Sequence, residues 1–220
     1  MTRRSRLLTT ATAGVTAALL LAGCGGGDGG DSKSNDKIAG ADTGASTSAS
    51  PSASASTASD GRPKLDMPSD LSYSFDWAQT GNADKDAVLA DSEQSIKAVD
   101  LAIVHQDALD KAYLYYYEGE AAAGTQKFIQ NYVDHKASIT GAYRFYSPDV
   151  AVSKDGTASF SYCEDQGKAF VKYLKTNEIR KTKVTAKSYV AYHASLKKNT
   201  KGVWVVEKII SQIGSAECQP

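Results

Sequence analysis

Apolar positions along this chain recur first at helical spacing and later at strand spacing. Leu89, Ile96, Val99 and Ile103 share one helical face, and Asn82 or Asp84 is placed to cap the start of that helix. Glu93 and Lys97 stand at the favourable i,i+4 spacing on it. A second helical stripe runs through Leu109, Ala112, Tyr113 and Tyr116, with Gly119 just past its end. A third runs through Thr125, Phe128, Ile129 and Tyr132 and stops near His135.

Beyond residue 137 the period changes to two. Ile139, Gly141, Tyr143 and Phe145 alternate with Thr140, Ala142 and Arg144, and Pro148 interrupts the run as at a bulge or an edge. Asp155-Gly156 predicts a hairpin turn between Val150–Val152 and Thr157–Cys163. Lys168–Leu174 reads as a further strand. Val190, Tyr192, Ala194 and Leu196 form one strand face, and Asn199–Gly202 the next turn. Val203–Ile213 is apolar on both faces, which predicts a central position in the sheet. Three helices followed by an antiparallel meander predict an α+β domain.

The first 70 residues follow neither period. Arg3, Arg4 and Arg6 precede an apolar stretch, Leu7–Ala22, too short and diluted for a spanning helix of about 20 apolar residues. Leu21-Ala22-Gly23-Cys24 resembles the bacterial lipobox, which implies that Cys24 receives a diacylglyceryl thioether carrying palmitate-type chains and that cleavage before it then exposes a new N-terminus. Two or more acyl chains anchor a protein firmly, at about 0.8 kcal/mol per buried CH₂. Residues 2–8 also resemble a twin-arginine export signal. From Gly25 to Asp70 the chain is rich in Gly, Ser, Ala and Thr and has too few large apolar residues to build a core. The expected organisation is a signal peptide at 1–23, a disordered tether at 24–70 reaching roughly 35–40 Å, and a single domain at 71–220. The expected location is the outer face of the cell membrane, with the lipid as the membrane contact.

Charge changes the picture through its distribution. The chain carries 25 basic and 25 acidic residues, but residues 71–136 hold 11 acids and 5 bases, and residues 137–220 hold 7 acids and 13 bases. The two halves therefore carry −6 and +6. Lys175, Arg180, Lys181 and Lys183 surround one connection and are candidates for contact with an anionic envelope polymer; as solvated loop tips they would only protect sheet edges. Nucleic acid is not an expected partner outside the cell. The sequence leaves the oligomeric state open.

Cys163 and Cys218 are the two cysteines beyond Cys24. In an exported chain an even pair reads as a disulfide, against the alternative of two buried thiols.

Helices first, then long strands, then the hairpin Leu196-Lys197-Lys198-Asn199 to Gly202-Val203-Trp204-Val205-Val206 resemble the nuclear transport factor 2-like superfamily, over about residues 75–213. The resemblance implies three helices packed on a strongly curved antiparallel sheet, forming a cone. Asp76-Trp77, Tyr143-Arg144-Phe145-Tyr146, Tyr162-Cys163-Glu164-Asp165 and the terminal cysteine are similar to those of bacterial lipoproteins carrying such a domain.

The chain has no Cys-x-x-Cys, His-Glu-x-x-His, calcium-loop, Gly-x-Ser-x-Gly or phosphate-cradling motif, so neither a metal nor a cofactor is expected. Tyrosine stands out instead, with twelve against five phenylalanines. Tyr113, Tyr116, Tyr143, Tyr162 and Tyr192 fall on inward faces, with Trp204, and are candidates for a pocket lining; the plainer reading packs them in the core. Glu164 shares strand parity with Tyr162 and would point into the same pocket, where burial raises a carboxyl pKa. Cone-fold isomerases, cyclases and dehydratases use an inward acid this way, but no second catalytic partner is evident. The expectation is a lipid-anchored, extracytoplasmic binding or interaction module without catalysis, for a small apolar ligand or an anionic polymer. The alternative is a cone-fold small-molecule isomerase, cyclase or dehydratase.

Overall fold

The computed structural model describes residues 61–220. The signal peptide, Cys24 and the tether to residue 60 lie outside the described residues. Among the described residues, no helix is long and apolar enough to cross a membrane.

The described chain opens with β1 (Leu71–Phe75), followed by α1 (Ala83–His105), the four-residue α2 (Lys111–Leu114) and α3 (Gly119–Asp134). Five strands follow: β2 (Ala137–Val152), β3 (Thr157–Tyr173), β4 (Glu178–Arg180), β5 (Tyr189–Lys198) and β6 (Trp204–Ile213). The fold is α+β, with a six-stranded sheet in the order β1-β2-β3-β5-β6 and β4 paired onto β3.

Local chemistry sets the helix ends. The Asn82 side chain accepts from the Asp84 and Lys85 amides at 3.1 Å, so of the two caps the sequence allowed it is Asn82 that caps α1. At the other end Gln106 turns left-handed at φ 57°, and its Nε2 donates to the carbonyls of Ile103 and Ala137 at 2.8 Å. That amide ties the end of α1 to the start of β2.

β2 and β3 pair from Ala137↔Tyr173 to Val152↔Ala158 around the Asp155-Gly156 turn. Their register shifts between Ala142 and Arg144 and again between Tyr146 and Asp149, where Pro148 sits. Such bulges bend a strand and increase its twist. Gly141 lies before the first shift at φ 104°, and a Cβ there would stand 2.2 Å from the Lys168 carbonyl oxygen. Only glycine fits.

The structure departs from the sequence reading in five ways. β1 pairs parallel to β2, Leu71↔Gly141 through Phe75↔Phe145, so the sheet is mixed and one strand precedes the helices. The described residues before it, which composition assigns to the tether, pack on the domain: Leu65 and Met67 lie against the core, and Arg62 pairs with buried Asp91. The second helical stripe shrinks to one turn, leaving Leu109 59% exposed and making Gly119 the first residue of α3. Lys168–Tyr173 continues β3 and is not a separate strand. Finally, β6 is an edge strand. Its first residues are buried because the Tyr116–Glu118 segment covers them: Val206 N–H donates to the Tyr116 carbonyl at 2.8 Å, and Glu118 N–H to the Val206 carbonyl at 3.1 Å. Its last residues are open, with Ile213 68% exposed.

The main core lies between the helices and one sheet face, around Ile103, Tyr113, Tyr116, Ile129, Phe145, Phe160, Leu196 and Trp204. Cys163 points to the other face. It is bonded to Cys218, with Cα atoms 5.5 Å apart, and packs with Ala191, Tyr146 and Tyr189.

Candidate functional site

The inward sheet face carries rings at alternate positions of adjacent strands, because period-two side chains in register fall side by side. Tyr73 stacks on Tyr143 with centroids 5.9 Å apart, Phe145 meets Tyr162 at 6.0 Å, and Tyr162 stacks on Tyr192 at 5.0 Å. Opposite this array, α1 and α3 leave a cavity of about 440 Å³. Its helical wall includes Ile96, Asp100, Ile103, Thr125, Phe128 and Tyr132, and its sheet wall includes Tyr143, Tyr162, Glu164, Gln166 and Tyr192.

Two carboxyl groups from different elements line it. Glu164 of β3 is 6% exposed and accepts from Gln166 Nε2 at 2.9 Å and from the Tyr192 hydroxyl. Burial pushes its pKa up, against the pull of those two donors. Asp100 of α1 accepts from the Tyr73 hydroxyl at 2.9 Å. Its pKa is pushed up to about 8, first by burial and then by the charge of Glu164, while the Tyr73 hydrogen bond acts the other way. At neutral pH the cavity thus holds a carboxyl that donates hydrogen bonds as well as acceptors. The surrounding tyrosines are pushed further from ionisation by burial, Tyr143, Tyr162 and Tyr192 most strongly, so they remain neutral hydrogen-bonding tips.

Of the residues the sequence pointed to, Tyr143, Tyr162, Glu164 and Tyr192 meet at this cavity. Tyr113, Tyr116 and Trp204 do not. Tyr113 and Tyr116 are fully buried in and beside the α2 turn, where Tyr113 donates to the Ala108 carbonyl at 2.9 Å and Tyr116 neighbours Arg62. Trp204 is 1% exposed under the β5–β6 turn, with the Lys198 ammonium 5.6 Å from its ring centre. These three fill the core. Their inward direction was readable, but not how far along the domain they sit.

Lys175, Arg180, Lys181 and Lys183 are all exposed. Arg180 and Lys183, with Lys187, border a second hollow of about 380 Å³, which shares Tyr132, Ile139, Tyr143 and Gln166 with the first. Lys175 and Lys181 do not line it.

Asp100 is the site residue that sequence reasoning missed. It stands four residues after Ile96 and three before Ile103, an acid inside the apolar stripe, and that placement was its signal.

No family model matches the chain, and no curated protein matches it. Solved structures do. A ketosteroid isomerase-like protein from Erwinia carotovora atroseptica is 14% identical, with TM-score 0.41, over 61% of this chain and 98% of that one. The intermembrane space region of chloroplast protein ARC6 is 11% identical, with TM-score 0.39, over 60% and 98%. An NTF-2 like protein of unknown function from Shewanella oneidensis is 15% identical, with TM-score 0.35, over 56% and 96%.

Proposed function

We propose that this chain is a lipid-anchored module on the outer face of the cell membrane, whose domain, a nuclear transport factor 2-like cone, binds a small, mainly apolar ligand without transforming it. One observation carries the reading. The cavity offers aromatic and aliphatic walls with a few convergent polar groups, at a size within the range of about 300–1,000 Å³ typical of small-molecule sites. The lipobox ending at Cys24 and the tether behind it support the location. The exposed bases Lys175, Arg180, Lys181 and Lys183 support a secondary contact with an anionic envelope polymer.

A second reading is favoured by the Asp100–Glu164 pair. Two carboxyls that face one cavity from different elements, both with raised proton affinity, are the kind of groups a general acid and a general base are made from, as an isomerase, cyclase or dehydratase of this fold would need. Binding ranks first because Glu164 is already held by two donors, Gln166 and Tyr192, rather than free to move a proton. Native mass spectrometry of the full chain extracted from its own membrane tests the proposal. A small molecule released on denaturation supports it, and its conversion to an isomer or dehydration product during incubation would replace binding with catalysis.

A further inference from the structure

We infer that the cavity is built for an organic cation: an amine or quaternary ammonium group carried on an aromatic or aliphatic body. This rests on the cavity being the ligand site proposed above, and it adds the chemical class of the ligand.

The wall composition is one-sided. Three carboxyls line the cavity, Asp100 from α1, Glu120 from α3 and Glu164 from β3, together with seven aromatic rings. Among the described residues, no Lys, Arg or His lines it. The bases collect instead at the neighbouring hollow, around Arg180, Lys183 and Lys187. An anion would meet repulsion in the first cavity and attraction in the second.

The acids withdrawn from solvent, Asp91 and Glu164 buried and Asp100 part-buried, are treated differently according to place. Asp91, 1% exposed, is neutralised by Arg62 and also accepts from the Trp204 amide at 2.9 Å. Asp100 and Glu164 form no ion pair among the described residues; their partners are neutral, Tyr73 for one and Gln166 and Tyr192 for the other. Two carboxyls in one aromatic pocket without a counter-cation repel each other and lose hydration. An arriving ammonium supplies the missing charge. The rings supply the rest, since an aromatic face attracts a cation within about 6 Å of its centre. The same array already does this at its rim, where the Lys97 ammonium lies 5.2 Å from the Phe75 ring centre and 5.9 Å from that of Tyr73.

Isothermal titration of the full chain in neutral detergent, with detergent alone as the blank, tests this with three probes sharing one ring system. Tryptamine is cationic, tryptophol neutral and indole-3-propionate anionic. Tryptamine should bind about tenfold or more tighter than tryptophol, the weight of one charge-assisted contact. Indole-3-propionate should bind weakest. Asp100→Asn and Glu164→Gln should each weaken tryptamine by about tenfold and leave tryptophol within about threefold. The wild-type comparison stands even where a variant folds poorly. Tryptophol or indole-3-propionate binding as tightly as tryptamine would overturn the cation assignment while leaving the cavity as a binding site. If none of the three binds and native mass spectrometry releases no small molecule, both readings fall.

Discussion

Tyr73 of edge strand β1 donates its hydroxyl to Asp100 of α1 at 2.9 Å. The bond is the one influence that favours ionised Asp100 against burial and against Glu164. In Tyr73→Phe, Asp100 should therefore titrate higher than its value of about 8, and stability should fall by about 1 kcal/mol for the lost hydrogen bond. Carboxyl-carbon NMR across pH 5–10 checks the shift. A lower Asp100 pKa in the variant contradicts it.

The same carboxyls make stability depend on pH with a definite sign. Asp100 and Glu164 hold their protons more tightly folded than unfolded. Their contribution is therefore complete below an unfolded pKa of about 4 and is lost as pH rises toward about 8. Asp70, Asp86 and Asp155 are shifted down by their hydrogen bonds, so their contribution is lost as pH falls below about 4. Between pH 5 and 8 the thermal midpoint of the wild type should decline, and Asp100→Asn should flatten that decline. Parallel curves for the two proteins would refute the assignment.

Much of this was legible along the chain. The Asn82 cap, the Asp155-Gly156 turn, the Cys163–Cys218 pair and the inward parity of Tyr143, Tyr162, Glu164 and Tyr192 all depend on local spacing, and local spacing is what a sequence displays. β1 was hidden although Leu71, Tyr73 and Phe75 alternate with Ser72 and Ser74, because its partner lies beyond three helices and its flank reads as tether. Asp100 was hidden because its meaning depends on Glu164, a residue on another element. The apolarity of β6 on both faces suggested a central strand, whereas a loop at Tyr116–Glu118 covers its first half.

The disulfide should matter for stability and not for the cavity, because Cys163 faces away from the sheet side that Tyr162 and Glu164 occupy. It closes a sequence separation of 55. The chain-entropy relation gives about 4 kcal/mol for a loop of that size, as an upper-end figure. Denaturant unfolding of Cys163→Ala/Cys218→Ala should show a loss of that order, with probe affinity in the folded variant unchanged. A variant that folds as stably as the wild type would remove the bridge from the stability argument.

The proposed anchor rests on one atom, the Cys24 sulfur. In Cys24→Ala the thiol that would carry the diacylglyceryl group is gone, and the protein should leave the membrane fraction or accumulate unprocessed. Fractionation with acyl labelling reads this out. Normal labelling and full membrane retention would refute the lipobox assignment.

The proposed ligand site is tested most directly by tyrosine-ring carbon NMR of the full chain during titration with tryptamine. Tyr162 and Tyr192 should shift together and saturate, while Tyr113, buried in the core at the α2 turn, stays in place. Shifts confined to tyrosines outside the cavity, such as Tyr173 and Tyr189, would contradict a binding site between the helices and the sheet.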